Sequence, residues 1–142
     1  MSKGNTFEND FLKLIFNATA IANIADNAGS SPLTSLYLSL HTSDPGEAGD
    51  QTTNEASYTG YARIGVTRNS GGWTVSGNTA SNTALAQFGQ SSTSQTVTHV
   101  GIGTDSSGAG KLLYSGALNA SLAVANLIQP QFAASALTVT ED

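Results

Sequence analysis

Leu36-Tyr37-Leu38-Ser39-Leu40-His41 sets how the rest of the chain is read. Leucine stands at every second position and more polar residues fill the gaps, which is the period of a strand with one buried face. Pro32 lies just upstream, and Asp44, Pro45 and Gly46 follow, so the run is bounded as a strand is. Weaker patches of the same kind recur at 61–68, 73–76, 84–88, 96–102, 112–115 and 137–140. Turn clusters separate them: Asn69-Ser70-Gly71-Gly72, Gly77-Asn78, Ser91-Ser92-Thr93-Ser94 and Asp105-Ser106-Ser107-Gly108. Between 118 and 132, Leu122, Val124 and Phe132 read as one or two further strands around Pro130. Short strands with Gly-rich turns predict a mainly β fold. The expected form is an antiparallel β-sandwich, jelly-roll-like in preference to immunoglobulin-like.

Upstream of this run the period changes. Residues 5–28 read as the one α-helix of the chain. Asn5 and Glu8 have the spacing of a capping box, and Glu8 and Asp10 complement the helix dipole. Phe7, Phe11, Leu14, Ile15, Ala18, Ile21, Ala22 and Ala25 form an apolar stripe. Asn27 or Gly29 is the expected stop, and Thr19-Ala20-Ile21 is the place where the helix would break. The expectation is one domain over 1–142: helix 5–28, then a β-sandwich over 33–142 with a long polar loop at 42–59. A loop of about 17 residues exceeds the usual connection and marks a functional or mobile segment.

Composition narrows the function. The chain has 142 residues, 39% hydrophobic and only 11% charged, with 18 Ser, 17 Thr and 15 Gly. Its surface is wetted by hydroxyls and amides instead of charge. Five basic residues against ten acidic ones make a poor phosphate-neutralising stripe, so no nucleic-acid partner is expected. Zero cysteines remove thiolate catalysis and zinc–thiolate sites, and favour assembly in a reducing compartment. The N-terminus has no signal-peptide core, and the apolar-looking 118–127 stretch is broken by Asn119, Ser121 and Asn126. A soluble protein without a membrane partner is expected.

The chemistry-bearing residues point away from an enzyme. His41 and His99 sit in strand patterns flanked by hydroxyls, but no Gly-x-Ser-x-Gly elbow accompanies them. They read as hydrogen-bonded strand histidines. Asp44, Glu47 and Asp50 do not have the spacing of an EF-hand and read as a solvated loop; no metal is expected. His99-Val100-Gly101-Ile102-Gly103 lacks the Gly-Lys-Ser/Thr of a phosphate loop, so no cofactor is expected. Trp73 reads as core, with a sugar-stacking role as the competing use.

Leu36-Tyr37-Leu38-Ser39-Leu40-His41-Thr42-Ser43-Asp44-Pro45-Gly46-Glu47-Ala48-Gly49 leads into Asn54-Glu55-Ala56-Ser57-Tyr58-Thr59-Gly60-Tyr61-Ala62-Arg63. Together with Thr98-His99-Val100-Gly101-Ile102, Gly110-Lys111-Leu112-Leu113-Tyr114-Ser115-Gly116-Ala117-Leu118 and the close at 132–140, this resembles a family of small tailed-bacteriophage virion proteins, variously head decoration (cement) or tail-fibre-like. The resemblance implies a non-enzymatic structural part of the particle, made in the host cytoplasm. The chain shows no heptads, repeats or shaft, which favours decoration of the capsid surface over a tail fibre. The expected partners are then the major capsid protein and further copies of the chain, as a dimer or trimer. Phe7, Phe11, Pro45 and Tyr58 are the candidate interface residues. A tail component and a carbohydrate-binding adhesion module using Trp73 are the alternatives.

Overall fold

A computed structural model describes residues 5–21 and 32–141. They form a mainly β structure with antiparallel strand pairings and one helix, as the sequence predicts. Contacts divide the chain into two compact units, each built from separate segments.

The first unit comprises Met1–Ser35, Val66–Ala86 and Phe132–Asp142. Helix α1 (Asn5–Phe16) packs on strands β3 (Trp73–Ser76) and β4 (Thr79–Asn82), and β9 (Thr138–Thr140) completes the sheet in the order β3-β4-β9. The helix ends at Phe16, well short of the expected 28. Residues 17–21 are not helical, and 22–28 lie outside the described residues. Its end is built locally. Ala18 takes a left-handed φ of 53°, and the Thr19 N–H turns back to the Lys13 carbonyl. Arg68 then donates to the carbonyls of Leu14, Ile15 and Leu33, satisfying acceptors that a helix C-terminus leaves open and placing a cation at its negative end.

The buried face of α1 also differs from the expected stripe. It runs Glu8, Leu12, Phe16, spaced by four, while Phe11, Leu14 and Ile15 are half-buried. Phe16 meets Trp73 with ring centroids 4.6 Å apart, and this contact fixes which ridge of the helix points inward. Gly77-Asn78 is the two-residue turn of a hairpin that pairs Ser76 with Thr79. Its second strand, β4, escapes sequence reading because Thr79-Ala80-Ser81-Asn82 carries little hydrophobicity. Alternation is there nonetheless: Ala80 and Asn82 are buried. Asn82 earns its place by donating to Ala84 and Ala133 and accepting from the Leu137 N–H.

The second unit comprises Leu36–Gly65 and Gln87–Gln131. Its centre is β1 (Ser35–His41) antiparallel to β6 (Gln95–Gly103), in a four-stranded sheet ordered β2-β1-β6-β7. Strand β2 is Ile64–Thr67 and β7 is Leu112–Val124. Two-residue strands β5 (Ala86–Gln87) and β8 (Gln131–Phe132) pair separately. Strand β7 is far longer than the 112–115 patch suggests. Val97 pairs with Leu122 and His99 with Ala117, so residues 118–121 stand opposite Thr98 alone as a bulge. That bulge breaks the period of two, so the sequence reads as two strands, at 112–115 and at Leu122 and Val124, where the fold has one.

Candidate functional site

The register His41↔His99 and Ser39↔Gly101 brings Ser39 and His41 of β1 under Gly101 of β6. Ser39 and His41 are both fully buried, with Ser39 Oγ 2.8 Å from His41 Nε2. His41 Nδ1 lies 2.8 Å from the Thr53 carbonyl. A carbonyl only accepts, so Nδ1 carries the proton and the Ser39 hydroxyl donates to Nε2. On paper this is a nucleophile–base pair. In place it is sealed: a Cβ at Gly101 would sit 2.6 Å from Ser39 Oγ and 2.7 Å from His41 Nε2, so the β6 backbone covers the pair. No substrate carbonyl reaches that hydroxyl. His41 is the hydrogen-bonded strand histidine expected, and Gly101 is glycine because it lies on top of it.

Burial is the main cause holding the His41 pKa below its ordinary 6.5, partly offset by the bond to Thr53 and the Glu55 charge. The unfolded chain therefore takes up the proton first as pH falls. Unfolding free energy is expected to be insensitive to His41 above pH 6.5. Below it, stability declines by up to about 1.4 kcal/mol per pH unit until the lower folded pKa is reached. Urea titrations at pH 7.5, 6.0 and 5.0 read this slope, and His41→Gln should flatten it; an equal slope in the variant would remove His41 as its source.

Around this pair the long loop is a built structure. Ala56 N–H bonds the Leu40 carbonyl and Thr42 N–H the Asn54 carbonyl, so the loop returns alongside β1 with a bridge between His41 and Glu55. Asp44 caps Gly46 and Asp50 caps Thr52, whose hydroxyl bond is the main cause lowering the Asp50 pKa. Glu55 accepts from Arg63 Nε at 2.6 Å and Nη2 at 2.7 Å, and from the Tyr61 hydroxyl at 2.8 Å. Arg63 reaches on to the carbonyls of Asp105 and Gly108. Gln51, fully buried, accepts the Asp105 N–H and fits against Gly103, where any Cβ would overlap its carboxamide. Two side chains thus fasten 42–63 to 104–110. The Tyr61 phenol is pushed up by burial, with the neighbouring Glu55 acting in the same direction.

The candidate interface residues divide. Pro45 and Tyr58 are buried, and Tyr58 bonds the Gly89 carbonyl, so both support the loop from inside. Phe11 is half-buried on α1, and the Phe7 side chain lies outside the described part. Trp73 is 0% exposed, so it offers no platform for a sugar. Asp44, Glu47 and Asp50 do not converge; among the described residues no group of three metal-ligating side chains forms. A shallow groove of about 280 Å³ lies where Gly46, Glu47 and Gly49 of the loop face Leu112, Leu113, Tyr114 and Ser115 of β7. Sequence reasoning missed the structural parts of Gln51 and Arg63. Their only signal was position, Arg63 closing the Tyr61-Ala62-Arg63 motif. The glycines at 101 and 103 were visible, but their spacing of two had no obvious meaning until Ser39, His41 and Gln51 were seen to lie against them.

A family model described as Podophage GP4 fiber I protein gp80 matches residues 3–140. No curated protein matches the chain.

Proposed function

We propose, from the premise that the chain belongs to this podophage fiber I family, that it is a non-enzymatic structural subunit of a phage fibre, working by packing against neighbouring chains. The observation that carries the reading is the family match over 3–140, nearly the whole chain. The geometry agrees with it. The Ser39–His41 pair is sealed beneath β6, and the 42–63 loop is fastened by Gln51 and Arg63 instead of being free to close on a substrate. Such a chain presents a fixed surface. Further copies of itself and other virion proteins are the proposed partners; with five basic residues against ten acidic, neither nucleic acid nor an anionic membrane surface complements it.

Decoration of the capsid surface, with the major capsid protein as partner, is the second reading. It is favoured by one observation: the sequence contains no heptads or repeats of the kind that build a shaft. Locating the tagged protein in intact particles by electron microscopy separates the two. A few copies at the tail are expected. Hundreds of copies over the head would replace the fibre with a decoration role, and absence from purified virions would overturn both.

A further inference from the structure

The sheet β3-β4-β9 has two unlike faces. One carries Trp73, Ala80 and Asn82, all buried, with Val75 and Val139 half-buried, and α1 packs on its strands. On the other, the register sets Thr74 against Ser81 and Ser81 against Thr138. It also sets Ser76 against Thr79 and Thr79 against Thr140. Residues directly opposite share a face, so six hydroxyls stand in two rows across three strands. Thr74, Ser76, Thr138 and Thr140 are exposed, and Thr79 and Ser81 half-buried. Strand geometry repeats them about every 6.8 Å along a strand and about every 4.8 Å between strands. Some are already linked: Thr79 Oγ1 lies 3.2 Å from Thr140 Oγ1, and Thr74 Oγ1 lies 3.0 Å from Thr83 Oγ1. Each keeps bonding capacity, since a hydroxyl donates once and accepts twice. No charged residue occurs over 69–86 or 132–140.

We infer that this hydroxyl array binds a neutral polysaccharide. Chemistry and charge select the occupant. The core of a protein interface is rich in aromatic residues and poor in serine, and the array is the opposite. A phosphate polymer needs cations to neutralise it, and this face has none. An acidic glycan is repelled by a chain of net charge -5. A neutral sugar chain brings donors and acceptors together and no charge to compensate, which is what the array offers in return. Each bond formed replaces one to water, so a single array binds weakly. Strength comes from number. Here the inference rests on the reading of the chain as a fibre subunit present in several copies, whose arrays engage one polymer together.

Affinity electrophoresis of the full chain in gels holding dextran, mannan or galactan tests this, with polygalacturonate as the acidic control. Retardation by at least one neutral glycan is expected, with an apparent Kd of about 1 mM in sugar units, and none by polygalacturonate. Thr74→Val, Thr79→Val, Thr138→Val and Thr140→Val together delete four hydroxyls and keep β-branched side chains suited to strands. That variant should bind at least tenfold more weakly with unchanged thermal unfolding. Thr138→Val alone serves should the fourfold variant not fold, and should weaken binding about threefold, as one net hydrogen bond allows. Amide exchange of wild type should slow at 74–81 and 138–140 when the retarding glycan is added. No retardation by any of the three neutral glycans, stronger retardation by polygalacturonate, or equal retardation of wild type and the valine variants would each overturn the inference. Threonine-dependent glycan binding by a chain absent from virions would leave it standing and remove the fibre reading; a virion subunit without such binding would do the reverse.

Discussion

Trp73→Ala is expected to lower the unfolding free energy by about 3–5 kcal/mol, the usual range for removing a buried tryptophan. Trp73 is 0% exposed and lies against Phe16 with the rings tilted at 55°. It is the largest fully buried side chain, and with Leu12 and Phe16 it joins α1 to β3. Truncation would leave a cavity under the helix that the short sheet cannot collapse to fill. Trp73→Phe should cost much less. The indole Nε1 is buried without a hydrogen-bond acceptor, so losing that N–H offsets part of the lost volume. Urea denaturation followed by far-ultraviolet circular dichroism measures both variants. A W73A protein as stable as wild type, but deficient in glycan binding, would restore the stacking role that burial argues against.

Arg63→Ala should rank beside it, at about 3–5 kcal/mol, the range for breaking a buried ion pair from one side. Exposed pairs are worth far less, so the burial matters: the Arg63 side chain is 2% exposed and that of Glu55 17%. The guanidinium makes two bonds to one carboxylate and one each to the Asp105 and Gly108 carbonyls. The bonds to Glu55 are the main cause raising the Arg63 pKa, so the guanidinium stays protonated. Without Arg63, Glu55 is left with only the Tyr61 hydroxyl, and 104–110 loses one of its two side-chain ties to 42–63. Arg63→Lys should not rescue, because an ammonium cannot reproduce the planar fork. With a urea m-value of about 2 kcal/mol/M, the midpoint should fall by roughly 1.5–2.5 M. A shift under about 0.3 M in R63A would mean that the clamp is solvated and contributes as a surface pair does.

Several elements were legible in the chain alone. Ser35–His41, Trp73–Ser76 and Gln95–Gly103 match their sequence patches closely, because each keeps an unbroken alternation or a bulky residue bounded by turns. Strand β4 was invisible for lack of hydrophobic residues, and β7 was read in pieces, at 112–115 and at Leu122 and Val124, because its bulge interrupts the period. The helix start was read correctly, but its end was not. The apolar stripe runs on through Ala18 and Ile21, and the sequence marked a break only at Thr19-Ala20-Ile21. The stop at Phe16 comes from Ala18's backbone and from Arg68, which sits about fifty residues away in sequence. Of the candidate interface residues, Pro45 and Tyr58 were sought as surface because they belong to a polar loop. The loop folds back on β1 and takes them inside.

What the amino-acid order determined by itself is the mainly β class, the position of the helix and the weakly charged, hydroxyl-rich surface. Those follow from backbone periodicity and side-chain chemistry, which need no distant partner. Tertiary structure alone decided that Ser39, His41, Gln51 and Asn82 are interior. A buried polar group is tolerated only when its hydrogen bonds are met. Here they are met by groups 12 residues away for His41, 54 for Gln51 and 55 for Asn82. Until folding brings those partners together, each of these residues is indistinguishable from one made for water.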